Sequence, residues 1–312
     1  IRAGRITRGH RFHAPGEITI GGAHDYAEKL RVALREQRVI PYYQTIFDCK
    51  TGAPFAHETL ARIVEPDGEI ISAGVFIETI EKYGLGRDLD RAMIQNSLAA
   101  AKQRMGNGHA ASRLFINLSA QEIQGRGILG YAEQVCTELG VPPDRVVFEI
   151  LERDAIGDMT HMRKFLSHLR DKGFLFALDD FGSGYNSFHY LRELHFNYVK
   201  IDGAFVKNIL RSKIDFALVR NLSRLCQDLG IQTIAEYVES EDILLSLRDM
   251  GVDTPFGNVA LLTRPGQHHL VVSENENPSR RKKRTRGARP RAGPPANTRA
   301  TTRSGATPCW TR

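Results

Sequence analysis

The chain has 312 residues, with 43 Lys and Arg against 36 Asp and Glu and a formal charge of +7, enough for one domain of about 230 residues plus flanking segments. The charge is concentrated: residues 274–312 hold eleven Arg and Lys against two Glu, a net +9 that leaves −2 for residues 1–273, so the basicity belongs to a tail and does not mark the body of the chain as a nucleic-acid binder. Cys49, Cys136, Cys226 and Cys309 show no C-x-x-C spacing, which argues against a zinc cluster or disulfide framework and for reduced thiols in the cytoplasm; no apolar run of about 18 residues suggests a membrane span, and no leader-like start suggests export.

Residues 1–22, rich in Arg, His and Gly without periodicity, read as a linker or the end of an upstream domain. Over 23–37 the recurrence of Tyr26, Leu30 and Leu34 at every fourth position predicts a lead-in helix packed on the following domain, with a signalling helix to an upstream domain as the other reading. The domain itself is expected over 38–265. Six short apolar runs within it each end on a carboxylate, carboxamide or ammonium: 56–62 with Glu58, 114–119 with Asn117, 146–152 with Glu149 and Glu152, 174–182 with Asp179 and Asp180, 198–202 with Lys200, and 233–239 with Glu236 and Glu239. Helical stripes lie between them. Examples are 159–172 with Met162, Phe165, Leu166 and Leu169, then 214–229 with Leu218, Leu222 and Leu225, then 241–250 with Ile243, Leu244 and Leu247, stopped by Gly173, Gly230 and Gly251 respectively.

Strand, helix and strand in this rhythm predict parallel pairing with both sheet faces covered. A parallel barrel gathers polar residues at the carboxyl ends of its strands, where barrel enzymes keep their active sites. Residues 266–312, dominated by Arg, Pro, Thr, Ala and Gly with few large apolar side chains, are expected to be a disordered basic tail.

The ordered set Glu58-Thr59-Leu60, Asn117-Leu118-Ser119, Glu149 with Glu152, the run from Asp179 through Tyr185, Lys200-Ile201-Asp202 and Ala235-Glu236 resembles the EAL domain family of cyclic-di-GMP phosphodiesterases over about residues 40–265. The resemblance implies a TIM-like (β/α)8 barrel with one antiparallel strand near 42–48. It implies hydrolysis of cyclic di-GMP to linear pGpG with two Mg²⁺ or Mn²⁺ ions, which suit an all-oxygen donor set. Glu58, Asn117, Glu149, Asp179 and Asp180 are the metal ligands it implies, with Asp180 and Glu236 completing the second ion's site and orienting water. Lys200 is implied at the attacking water or the phosphate, and Glu152 as the support of the loop that begins at Asp179.

Gln44, Leu60, Arg62, Glu239 and Phe256 fall on ligand-side positions; the guanidinium fork of Arg62 suits a phosphate. The resemblance also implies a homodimer. An upstream sensory or GGDEF-type domain is expected in the full protein, since this chain opens on Ile1 rather than Met. Three positions depart from the family: Thr59 replaces its alanine, Tyr237 stands where glycine is common, and Phe256 replaces a glutamine ahead of Gly257, with longer than usual spacing from Gly257 to Pro265. Phe256 and that spacing keep open a second reading, a catalytically inactive domain serving as a cyclic-di-GMP receptor or protein-interaction module. The Asp180-Phe181-Gly182 triplet, also found in protein kinases, lacks the glycine-rich and His-Arg-Asp loops that would give it kinase meaning.

Overall fold

A computed structural model describes residues 20–255 apart from 107–111, 125–126, 156–158, 183–190 and 192. The expected tail and Phe256 lie outside the described residues, as does most of the expected N-terminal linker. One mixed sheet organises the rest. Its strands are β1 (Val39–Phe47), β2 (Pro54–Val64), β3 (Ile70–Ser72), β4 (Arg113–Asn117), β5 (Val146–Leu151), β6 (Leu175–Phe181), β7 (Tyr198–Ile201), β8 (Gln232–Ala235) and β9 (Thr254–Pro255). They are ordered β1-β2-β4-β5-β6-β7-β8-β9, with β3 paired to β2 off this path.

β1 runs antiparallel to β2, as expected for residues 42–48, and every pair from β2–β4 to β8–β9 is parallel. Parallel neighbours need a crossover, and helices supply it: Gly86–Gly106, Ile128–Leu139, Met159–Asp171, Lys213–Asp228 and Glu241–Asp249. Ser212 and Ser240 cap the last two by accepting from the N–H groups of Asp215 and Ile243.

The sheet curls until its two ends meet. Cys49 N–H donates to the Asp253 carbonyl at 3.0 Å, and the Arg248 guanidinium donates twice to the Cys49 carbonyl at 3.0 and 2.8 Å. Beside this seam, the Asp253 carboxylate accepts from both the N–H and the hydroxyl of Thr233, which ties the short β9 to β8. β9 pairs with β8 in parallel as far as Pro255.

Curling gives the strands two apolar faces. The outer one packs against the helices through Phe76, Ile94, Phe148, Phe174, Phe176 and Leu169, among others. The helix Ile20–Arg35 joins it through Leu30 and Ala33, with Tyr26 and Leu34 partly buried alongside, so the lead-in stripe packs on its own domain. The inner face is a separate layer of seven residues, one from each of seven strands: Ile46, Ala56, Phe115, Val147, Ala177, Tyr198 and Ile234, none more than 3% exposed. Each fully buried aromatic or branched side chain contributes on the order of 1.5–3 kcal/mol, so this plug holds the strands in register beneath whatever lies above it.

Candidate functional site

Side chains alternate along a strand, so a residue two positions from an inward-pointing one also points inward, about 6.6 Å further along. Two positions toward the carboxyl end from the inner layer, the parallel strands and the chain just past β8 place Glu58, Asn117, Glu149, Asp179, Lys200 and Glu236. On antiparallel β1 the same level is reached by stepping back from Ile46 to Gln44, which pairs directly with Glu58. Seven polar positions predicted from sequence thus form one tier over an apolar floor. The Thr59 hydroxyl, pointing the other way, donates to the Phe115 carbonyl at 2.9 Å, so the departure from alanine is absorbed without an orphaned polar group.

Lys200 is the hub. Its ammonium lies 2.9 Å from Glu149, 3.0 Å from Asp179, 3.0 Å from Glu236 and 3.5 Å from Glu58, while its side chain is 1% exposed. Burial alone would favour the neutral amine, but Glu149, Glu58, Asp179 and Glu236 outweigh it and hold the ammonium charged well above the usual lysine range. The carboxylates respond in the opposite sense. Burial pushes Glu149 well up, reinforced by Glu58; it also raises Glu58, which Lys200 partly offsets. Glu236 is pushed up to about 7 by burial, against the pull of Lys200. One cation therefore does not neutralise the group, and added positive charge would be drawn in.

The donor chemistry fits a hard divalent cation. Oxygens of Asp179, Asp180 and Glu236 all fall within 4.8 Å of one another. Glu58 Oε2 and Glu149 Oε1 are sealed from water and, apart from their ion-pair contacts with Lys200, have no hydrogen-bonding partner among the described residues. Asn117 Nδ2 donates to Glu149 Oε2 at 3.1 Å, placing its carboxamide beside the same cluster. Carboxylate and carboxamide oxygens without His or Cys suit Mg²⁺ or Mn²⁺ better than zinc.

The turn after β6 has its own support. Asp180 takes the left-handed conformation with φ 55°, and Gly182 follows at φ 106°, where a Cβ would come within 2.7 Å of the Phe205 ring. Gly182 N–H donates to Glu152 Oε2 at 3.0 Å. Sequence reasoning set Glu152 at the end of a strand; β5 instead stops at Leu151, and Glu152 opens the short helix Glu152–Ala155, where negative charge in the first turn is favourable. The buried carboxylate is thereby directed at the turn rather than into the cluster.

Beside the tier lies a cavity of about 480 Å³, within the roughly 300–1,000 Å³ usual for small-molecule sites. Leu60, Asn117 and Thr59 line it together with the apolar Ile77, Leu89 and Met93. Asp90 also lines it and was missed from sequence. Its carboxylate accepts from both the N–H and the hydroxyl of Ser119, at 2.8 and 2.7 Å, two residues beyond Asn117; burial nevertheless pushes it up to about 7. Asp90 lies in a helix of mixed polarity, between Asp88 and Arg91, so nothing in the sequence set it apart.

Arg62 is half-buried, stacks over the Tyr42 ring at 5.2 Å, donates to the Ala61 carbonyl and has a buried Nε with no partner among the described residues. Glu239 is exposed, three residues past Glu236.

Comparison with known proteins converges on one family. The EAL domain model matches residues 27–260. The chain is 35% identical over 234 residues to "Cyclic di-GMP phosphodiesterase PdeB" of Shewanella oneidensis, covering 74% of this chain and 27% of that protein. It is 29% identical over 241 residues to "Cyclic di-GMP phosphodiesterase PdeA" of Borreliella burgdorferi, covering 77% of this chain and 36% of the relative. Among solved structures, "PaMucR Phosphodiesterase, c-di-GMP complex" superposes with TM-score 0.71 at 26% identity, over 76% of this chain and 96% of that one. The chain spans only about a quarter to a third of the curated relatives' length.

Proposed function

Taking as premise that the chain belongs to the EAL domain family, we propose that residues 38–265 hydrolyse cyclic di-GMP to linear pGpG, as the output domain of a longer signalling protein. The observation that carries this reading is the single tier of Glu58, Asn117, Glu149, Asp179 and Glu236 around one buried ammonium, with a base-sized cavity opening beside Asn117 and Leu60. Relatives named as cyclic-di-GMP phosphodiesterases and a structural neighbour described as a cyclic-di-GMP complex support the substrate class.

Glu58, Asn117, Glu149 and Asp179 would hold one Mg²⁺ or Mn²⁺, and Asp179, Asp180 and Glu236 a second. Such ions would neutralise charge on the phosphoryl oxygens and lower the pKa of bound water. The protein's own residues do the rest. Lys200, kept charged by its four carboxylates, faces the place where negative charge builds up on the phosphate oxygens. Glu236, 3.0 Å from Lys200, would orient the attacking water. Arg62, half-buried over the Tyr42 ring, offers its guanidinium to a ligand phosphate, and Gln44 sits next to Glu58 at the edge of the tier. Leu60 and the apolar wall of the cavity receive a base and keep water from it. Glu239 and Phe256 stand in this reading as outer ligand contacts, and Glu152 as the brace of the Asp179–Gly182 turn.

Chromatographic separation of cyclic di-GMP from pGpG, after incubation with the purified chain in Mg²⁺ or Mn²⁺, tests the proposal, with Asp179→Ala as control. Product formed by the unmodified chain and not by the variant supports hydrolysis. Micromolar binding with no product in either metal would replace it with the receptor reading that rests on Phe256. Homodimer formation and an upstream GGDEF-type or sensory domain belong to the same proposal.

A further inference from the structure

We infer that Tyr237 is a positioning residue for Glu236: its ring, 53% exposed but packed on Gly203 and in contact with Lys207, ties the end of β8 to the segment that follows Lys200 and so sets the Lys200–Glu236 pair. The inference rests on the hydrolytic reading above for its kinetic consequence, and on geometry alone for the rest.

Tyr237 has φ 51°, one of only four non-glycine residues at positive φ among the described residues. A bulky side chain adopts this left-handed conformation only where its surroundings impose it, and such residues concentrate at functional sites. The surroundings here are specific. A Cβ built on Gly203 would lie 2.1 Å from Tyr237 Cδ2, 2.7 Å from its Cγ and 2.9 Å from its Cβ, so the tyrosine occupies the space a side chain at 203 would need. Lys207 Nζ stands 3.8 Å from the ring centroid, in cation–π contact. Gly203 and Lys207 belong to the turn and short helix Gly203–Val206 with its cap, and Asp202 fixes that helix by accepting from Ala204 N–H at 2.8 Å.

The two segments so joined carry two members of the tier. Asp202 and Gly203 directly follow β7, which bears Lys200; Tyr237 directly follows Glu236. The backbone is already in register there, since Glu236 N–H donates to the Ile201 carbonyl at 3.2 Å. Past that bond the chain leaves the sheet, and Tyr237 continues the contact between the two segments by packing on Gly203 and Lys207. The left-handed turn at 237 also diverts the chain immediately after Glu236. In this chain Gly203 contributes no side chain of its own, so loss of the ring would remove this contact between the two segments and free the Glu236 carboxylate to leave its position 3.0 Å from Lys200.

Three variants test this. Tyr237→Asn keeps a residue that tolerates the left-handed region but removes the ring, Tyr237→Phe keeps the ring, and Gly203→Ala drives the ring out. Crystal structures should show the Lys200–Glu236 pair opened beyond about 4 Å in Tyr237→Asn and unchanged in Tyr237→Phe. In hydrolysis assays Tyr237→Asn and Gly203→Ala should lower kcat about tenfold with KM within about twofold, while Tyr237→Phe retains activity. Gly203→Ala should cost nothing further in the Tyr237→Asn background, because the clash is then gone. An unmoved ion pair in Tyr237→Asn overturns the inference, as does a loss expressed in KM alone, which would make the ring a ligand contact. If Tyr237→Asn does not fold, Tyr237→Gly carries the same readings. If the unmodified chain lacks hydrolysis, the proposed function falls and the ion-pair distance alone decides for or against the clamp.

Discussion

Lys200 and Glu149, on strands β7 and β5, meet at 2.9 Å with side chains 1% and 0% exposed, at a level of the barrel where water does not reach either group. A buried pair is costly to form, but far costlier to break on one side, because the remaining charge is left without compensation. Lys200→Ala should therefore destabilise the chain by about 3–5 kcal/mol in metal-free buffer. Urea denaturation with and without Mn²⁺ checks this: the deficit should shrink when the divalent ion is present, since it can replace the lost positive charge. A deficit that Mn²⁺ does not change would separate the tier from metal binding.

Glu58→Ala and Asp179→Ala each remove one carboxylate from around Lys200. Both should fold, because they relieve like-charge repulsion, and both should lower hydrolysis of cyclic di-GMP by more than about a hundredfold, near 2.7 kcal/mol. Ca²⁺ in place of Mg²⁺ should inhibit the unmodified chain, since its larger, looser coordination shell places water less well. Steady-state rates of the two variants and of the Ca²⁺-loaded chain decide these points.

Glu152→Ala leaves Gly182 N–H without its acceptor, at a cost of about 1 kcal/mol in stability. Its larger effect should fall on kcat, because the turn that presents Asp179 and Asp180 is loosened. Glu152→Gln retains an acceptor oxygen and should recover most of the rate. Equal damage from both substitutions would mean that the charge of Glu152, rather than its hydrogen bond, is what the turn needs.

Asp90 gives a pH signature. Its carboxyl is raised from 3.8 to about 7 by burial, so between those values the folded chain binds a proton that the unfolded chain has released. Stability from this group is thus fully present below the unfolded value and is lost as pH rises through the folded one, at about 1.4 kcal/mol for each pH unit crossed between the two. The thermal midpoint should fall between about pH 4 and 7 in the unmodified chain, and fall less in Asp90→Asn. Parallel midpoint curves for the two proteins would contradict the assignment.

Much of this site was legible because strands repeat with period two. An apolar run ending on a polar residue can be recognised without any partner, and the six runs identified Glu58, Asn117, Glu149, Asp179, Lys200 and Glu236 individually. Helices with clear stripes and a terminal glycine, such as Met159–Asp171, were found to within a residue or two. Helix Gly86–Gly106 and strand β3 were not singled out; the helix has mixed polarity along its length, and a three-residue strand is too short to show a period.

The sequence by itself determined which side chains face inward, since that depends on local alternation, and it determined the class of chemistry, since carboxylates, a carboxamide and one lysine define a hard, charged centre. Only the tertiary structure decided who meets whom. That Asp90 seats the segment after Asn117, that Glu152 braces Gly182, and that Gly203 is glycine because Tyr237 fills its side-chain space are contacts between residues about 30 positions apart or close to it, brought together when the sheet curls. Curling is a cooperative result of all the crossovers and of the seam at Cys49 and Asp253, and no local window of sequence contains it.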